Sequence, residues 1–294
     1  MLGNSRSEPE SLVPIGQILG GMMNTQRNTL ALVLSGFLLS MASSAKAQQS
    51  NEELAKQLAN PISSLISVPF QLNWDQNIGA ADAGERLTLN VQPVIPFDIS
   101  DDWNLITRTI LPVVSQDDIF PGAGSQFGLG DTVQSLWFSP KAPTSNGWIW
   151  GAGPAFLLPT ATDELLGTDK WGVGPTGVAL KQQGPFTFGG LANHIWSVAG
   201  DSDRADVNST FLQPFFTYTT PSAWSFTAVA EATYDWESEQ WSVPVGLITG
   251  KVFRLGSQTV QFNFGPRYYV EHTDGGPEGL GLRAVFILLF PTGH

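Results

Sequence analysis

Residues 84–97 place Leu87, Leu89, Val91, Pro93, Ile95 and Phe97 on alternate positions, with Arg86, Thr88, Asn90 and Gln92 between them. Successive side chains of a strand point to opposite faces, so such a run makes a ribbon greasy on one side and polar on the other. The pattern returns along the chain. Trp224, Phe226, Ala228, Ala230, Ala232, Tyr234 and Trp236 oppose Ser225, Thr227, Glu231, Thr233 and Asp235. Val260, Phe262, Phe264, Pro266, Tyr268 and Val270 oppose Gln261, Asn263, Gly265, Arg267 and Glu271. The last run sets Leu280, Leu282, Ala284, Phe286, Leu288 and Phe290 against Gly281 and Arg283. Beyond a polar stretch, NEELAKQLAN, that suits a helical turn or two before Pro61, no helical periodicity persists.

Twelve strands are predicted, near 62–74, 84–97, 101–113, 126–139, 147–160, 171–183, 185–199, 206–220, 223–236, 241–255, 257–271 and 278–290. Alternation alone also fits a secreted β-sandwich. Three features decide against it. Each run is thirteen residues or longer, whereas strands of soluble proteins usually have ~5–6 and a tilted strand crosses the hydrocarbon layer in ~9–11. The connections alternate in kind. After even-numbered runs they are short (DIS, PKAPTSN, Gly184, PS, Gly256); after odd ones they are mostly longer and acidic, as in SQDDIFPGAGS, ATDELLGTDK and GDSDRAD. Lastly, the ten tryptophans gather near strand ends. Trp103, Trp137, Trp148, Trp150 and Trp224 fall toward one rim, and Trp74, Trp171, Trp196, Trp236 and Trp241 toward the other. Indole favours the membrane interface, where its ring is half buried and its N–H stays wet, so two aromatic girdles mark a barrel. The fold class expected is all-β: a transmembrane antiparallel up-and-down barrel of about twelve strands, of the bacterial outer-membrane type, with both termini periplasmic.

The amino-terminal part supports that compartment. Arg27, the apolar run Leu30 to Met41 and Ala45-Lys46-Ala47 have the form of a secretory leader over residues 22–47. Residues 1–21 carry no such pattern and are expected to be a non-native extension, with translation starting at Met22 or Met23. Residues 48–60 are then a short periplasmic segment, whose NEELAKQLAN stretch either plugs the lumen or hangs in the periplasm, and 61–291 the barrel. With no cysteine, three histidines and a net charge of −12, the chain has no thiol-based chemistry, little for a metal centre and no basic surface for nucleic acid. No cofactor is expected. Gly172, Gly174 and Gly177 spell G-x-G-x-x-G, but the motif needs a helix to open behind it, and Gly184-Pro185 follows six residues later. The glycines are assigned to a strand.

FGLGDTVQSLWFSP (127–140), GPAFLLPTAT (153–162), GLANHIWSVAGD (190–201) and STFLQPFFTYTT (209–220) carry a resemblance. Over roughly residues 61–290 the chain resembles the outer-membrane barrel family named after the MetA pathway of phenol degradation. That resemblance implies a Gram-negative outer-membrane barrel taking part in uptake of small, hydrophobic, in part aromatic compounds, with no catalytic residues to carry over. Outer-membrane barrels usually end on an aromatic residue read by the assembly machinery; here Phe290 is followed by four more residues.

The residues expected to face the lumen are Arg86, Arg108, Asp131, Glu231, Arg267 and Arg283, because an outward Arg at the bilayer midplane costs ~2–4 kcal/mol. They either pair across a filled interior or line a passage, since twelve strands lie between filled eight-stranded barrels and open porins. Function is therefore read as a passive channel for small neutral or hydrophobic solutes, with a non-conducting structural or surface-interaction barrel as the alternative. Lipid hydrolysis is a minor one. Asn193, His194 and Ser197 are the residue types for it, but positions three apart on a strand point to opposite faces. Expected partners are the outer-membrane lipid and lipopolysaccharide, a small-molecule solute and the barrel-assembly machinery. The acidic loop pairs Asp117–Asp118, Asp163–Glu164 and Asp201–Asp203 are expected to be solvated rather than metal-binding, and to disfavour anions at the external mouth.

Overall fold

The computed structural model describes residues 45–290. The chain divides into Met1–Ala47 and Gln48–His294, and the barrel belongs to the second unit; the expected leader, apart from residues 45–47, and the residues after Phe290 lie outside the described part. Among the described residues one helix, α1 (Ala45–Leu58), precedes fifteen strands. These are β1 (Ile66–Ile78), β2 (Gly84–Val91), β3 (Val94–Asp98), β4 (Trp103–Asp117), β5 (Ser125–Leu129), β6 (Thr132–Pro140), β7 (Trp148–Leu158) and β8 (Lys170–Gln183). They continue as β9 (Phe186–Gly200), β10 (Asn208–Thr219), β11 (Trp224–Ala230), β12 (Ala232–Asp235), β13 (Gln240–Leu255), β14 (Gln258–Glu271) and β15 (Gly279–Phe290).

Each wall of the barrel pairs antiparallel with the walls before and after it in the chain, and β1 pairs β15 from Ile66↔Phe290 to Trp74↔Leu282, which closes the ring. Three walls are each made of two strands in line: β2 with β3, β5 with β6, and β11 with β12. The barrel is thus twelve-stranded, as the alternation predicts. The predicted strand positions agree to within a few residues. Gly184 and Gly256 turn two of the shortest connections with φ of 60° and 62°, the positive value that a two-residue hairpin demands at its first position. The longest connection, 159–169, lies at the opposite end.

The three interruptions have one cause. Pro93 itself fills the gap between β2 and β3. Gly130, between β5 and β6, faces Pro112 and donates to its carbonyl at 2.9 Å. Glu231, between β11 and β12, donates to the carbonyl of Pro244 at 3.0 Å, where the β13–β14 register also shifts. A proline in a ladder keeps its acceptor and lacks its donor, so the pairing breaks on one side only. The proline-rich strands predicted from sequence are bent walls, and one break positions a charged side chain, Glu231.

The outer face is apolar and aromatic. Phe226, Phe262, Phe264, Tyr268 and Leu280 are exposed there. Trp103, Trp148, Trp150 and Trp224 ring the end with the short turns, joined by Phe186, Phe188, Phe216 and Tyr218 in edge and tilted contacts. Trp74, Trp171, Trp196, Trp236 and Trp241 lie toward the end with the long loops, where Tyr234 packs between Trp236 and Trp241 at 4.8 and 4.9 Å. Trp137 is the exception and a correction to the girdle. It is 0% exposed, points inward, and donates its indole N–H to Thr176 Oγ1 at 3.2 Å. In SLWFS, Trp137 shares the inward side with Ser135 and Ser139, and Phe138 takes the lipid side, at 45% exposure.

The interior is filled at the short-turn end. In α1, Glu52 and Lys56 pair at 2.8 Å one turn apart, and Leu54, Ala55 and Leu58 form an apolar stripe. Asn60 stops the helix, its Oδ1 accepting the Ile62 N–H at 3.0 Å. The stripe packs on Leu65, Ala223, Val252, Val285, Ile287 and Leu289. Ile62 continues into a second cluster with Ile106, Trp137, Val178, Leu180 and Leu191. Fully burying each of Ile62 and Leu65 contributes about 2 kcal/mol.

Candidate functional site

Above this apolar plug the inner face turns polar, because the inward positions of β1, β14 and β15 change character along their length. In β15 they run Arg283, Val285, Ile287, Leu289, and in β1 Ser67, Pro69, Gln71, Asn73, Asp75. Register brings the charged positions together from distant parts of the chain. Arg283 donates through Nη1 and Nη2 to the two oxygens of Glu231 at 2.9 and 2.7 Å, and through Nε to Asn73 Oδ1 at 2.7 Å. Arg267 pairs with Asp75 at 3.1 Å and Glu231 at 3.5 Å, with the Tyr269 hydroxyl also 3.5 Å away. Gln213 donates to Glu231 Oε1 at 3.2 Å. Glu231 therefore holds two guanidiniums from neighbouring strands, one of them by the two-pronged geometry that makes Arg–carboxylate pairs strong.

The other two arginines have amide partners. Arg86 Nε donates to Gln116 Oε1 at 2.8 Å, and Gln116 in turn donates to Gln126 Oε1 and to the carbonyl of Leu165. Arg108 Nη2 donates to Gln92 Oε1 at 2.8 Å. Among the described residues neither has a carboxylate within ion-pair distance. The belt carries four arginines against Asp75 and Glu231, so it is positive, although the chain is acidic. Asp75, Asn73 and the glutamines were not singled out from sequence. Their signal was available: each occupies the inward parity of its strand.

Asp131 sits elsewhere. Its carboxylate accepts the Ala161 N–H at 3.2 Å, the Thr168 N–H at 2.6 Å and the Thr168 hydroxyl at 2.7 Å, clasping the loop 159–169 rather than facing the arginines. The same loop fits over Gly128, where an added Cβ would stand 2.1 Å from Thr162 Oγ1. The GLGD run thus makes a seat for the loop: glycine leaves the space and Asp131 closes on the far side. Through the Gln116 contact with Leu165, the loop reaches the polar end of the lumen.

Between the belt and α1 lies a cavity of about 270 Å³. Arg108, Arg283, Gln92 and Gln213 line its charged side, and Phe215, Val229, Ile248 and Val285 its apolar walls; Ala55 and Leu58 of α1 form part of its lining.

The residue types for hydrolysis are not brought together. His194 points outward, its ring 4.2 Å from Trp196 and its Nδ1 hydrogen-bonded with Thr210 Oγ1 at 2.7 Å. Ser197 Oγ donates to Asp206 at 3.0 Å and accepts the Val207 N–H at 3.1 Å. Among the described residues, no group of three or more His, Cys, Asp or Glu side chains could hold a metal ion.

Asp206 belongs to the loop 201–207. Hydrogen bonds from Lys170 and Ser197, with the charge of Lys170, hold its carboxyl below the usual Asp range. A depressed Asp pKa contributes stability above the unfolded value of about 3.9 and loses it as pH falls through the folded value. Carbon-detected NMR titration of Asp206 is expected to give a midpoint under 3.9, rising toward that value in Lys170→Met. An unchanged midpoint in the variant refutes the assignment.

No family model matches the chain, and no curated protein matches it. Among solved structures the barrel is similar to the COG4313 outer membrane channel from Pseudomonas putida F1, with a TM-score of 0.61 and 16% identity, covering 77% of this chain and 94% of that one. The β domain of the Bordetella autotransporter BrkA has a TM-score of 0.44 and 11% identity, covering 78% of this chain and 100% of that one. Outer membrane phospholipase A from Escherichia coli has a TM-score of 0.43 and 10% identity, with the same coverages. Likeness at the level of the last two carries no argument. The first establishes the fold: a closed twelve-stranded barrel of the outer-membrane type.

Proposed function

We propose that the protein is a narrow passive channel of a Gram-negative outer membrane, admitting small, largely apolar organic solutes, with both termini on the periplasmic side. The observation that carries this reading is the contrast between the two faces of one closed wall. Outside, aromatic rims flank an apolar band; inside, a charged belt borders a cavity of about 270 Å³ with mixed walls. A water-soluble sandwich has no use for exposed Phe226, Phe262 and Phe264. The resemblance to the phenol-pathway barrel family and the likeness to a channel both agree with passage of solute, and the separation of His194 from Ser197 argues against lipid hydrolysis.

One observation favours a second reading, the non-conducting scaffold: α1 packs among inward residues at one end and the 159–169 loop reaches inward at the other. Planar-bilayer recording separates the two. Discrete conductance steps from purified protein are expected, together with slower solute uptake in a deletion strain. A silent bilayer and unchanged uptake overturn the channel reading in favour of the scaffold.

A further inference from the structure

We infer that the cavity between the charged belt and α1 is a binding site for a small monocarboxylate with an apolar body, held by Arg108. This deepens the channel reading and rests on it only for the claim that the bound molecule is cargo.

Arg283 directs Nε, Nη1 and Nη2 at Asn73 and Glu231, and Arg267 directs both terminal nitrogens at Asp75, Glu231 and Tyr269. Their forks are filled by the protein. Arg108 lines the cavity and gives one side-chain hydrogen bond, to the neutral Gln92 amide. A guanidinium carries five donors in a planar fork that matches a carboxylate two-pronged. Among the described residues no carboxylate approaches Arg108 within ion-pair distance. A positive group with donors left over, at the wall of a cavity, attracts an anion.

The rest of the lining sets the class of anion. Phe215, Val229, Ile248 and Val285 stabilise a hydrocarbon body by burial, and the hydroxyls and amides of Thr217, Thr227, Gln261 and Asn263 lie in the same lining. Inorganic phosphate would leave the apolar walls against polar surface, whereas a carboxylate on a short alkyl or aryl group matches both the arginine and those walls. The volume, about 270 Å³, admits a molecule of that size. The acidic outer loops do not reverse this, since their field fades over a Debye length of about 8 Å at physiological salt.

The test uses the full-length mature protein in detergent micelles, with hexanoate as the probe and 1-hexanol as its uncharged counterpart, read by calorimetric titration. Wild type is expected to bind hexanoate at least tenfold more tightly than hexanol, the difference a charge-assisted hydrogen bond supplies. Arg108→Gln is expected to weaken hexanoate tenfold or more while leaving hexanol unchanged, and Arg108→Lys to fall between. Lys141→Gln, which removes the same charge from a turn, is expected to bind hexanoate as wild type does. Equal affinity of wild type for the two probes, or equal hexanoate affinity in wild type and Arg108→Gln, overturns the proposal, as does absence of hexanoate binding to wild type. Heat-modifiable gel mobility reports whether Arg108→Gln folds; where it does not, Arg108→Lys and the hexanoate–hexanol comparison in wild type decide. Bilayer recording keeps the two readings apart: hexanoate binding without conductance sinks the channel and leaves the site, and conductance without hexanoate binding sinks the site alone.

Discussion

Glu231→Gln is expected to lower the stability of the barrel by about 3 kcal/mol, the low end for removing one partner of a buried ion pair. The carboxylate is shared by Arg283 at 2.7 Å and Arg267 at 3.5 Å, with side-chain exposures of 16%, 7% and 8% for the three groups. Taking its charge away leaves Arg283 with Asn73 and Arg267 with Asp75, two positive groups facing each other in a confined space. Urea unfolding followed by heat-modifiable mobility measures the loss. A double-mutant cycle gives the sharper result. Arg283→Met alone leaves Glu231 with Arg267, so Glu231→Gln with Arg283→Met should be less damaging than the sum of the two single changes. Additive effects would mean that the ion pair is immaterial to the belt.

Deleting residues 48–60 is expected to raise single-channel conductance several-fold. Ala55 is 1% exposed and Leu58 packs beside it, on inward residues of β13 and β15 such as Val252, Val285 and Ile287. Without the helix those side chains line an opening instead of a packed end, and the cavity becomes continuous with the short-turn side. Ala55→Arg tests the same point with one residue. A guanidinium does not fit where Ala55 meets Val285 and Leu289, so the helix must leave its seat or the barrel must distort. Conductance equal to wild type in both variants refutes a blocking role for α1, provided that gel mobility shows a folded barrel.

Much of the lumen was legible from parity. Arg86, Arg108, Glu231, Arg267 and Arg283 stand opposite apolar residues on their strands, and lipid excludes an outward guanidinium, so their side of the wall follows from chemistry alone. What parity leaves open is who meets whom. Asp75 and Arg267 are 192 residues apart, and Asn73 and Arg283 are 210 apart. Their contact depends on ring closure and on the register between β14, β15 and β1, which no local pattern encodes.

Asp131 and Trp137 make the same point from the other side. Asp131 follows the strand break at Gly130 and holds a loop that begins near residue 159. Trp137 shares the side of its strand with Ser135 and Ser139, but only the structure shows what receives it, Ile62 and Ile106. The apolar inner residues Val285, Ile287 and Leu289 likewise have no reason visible in VFILLF; α1 supplies it by packing on them.

The sequence by itself determined the number of strands, the alternation of short and long connections, and which face of most walls meets lipid, because each of these is written in spacing of two residues or in the length of a run. Only the tertiary structure decided what fills the barrel. Interior neighbours are chosen by closure of the ring and by the path of the amino-terminal segment, and both bring together residues that the chain holds far apart.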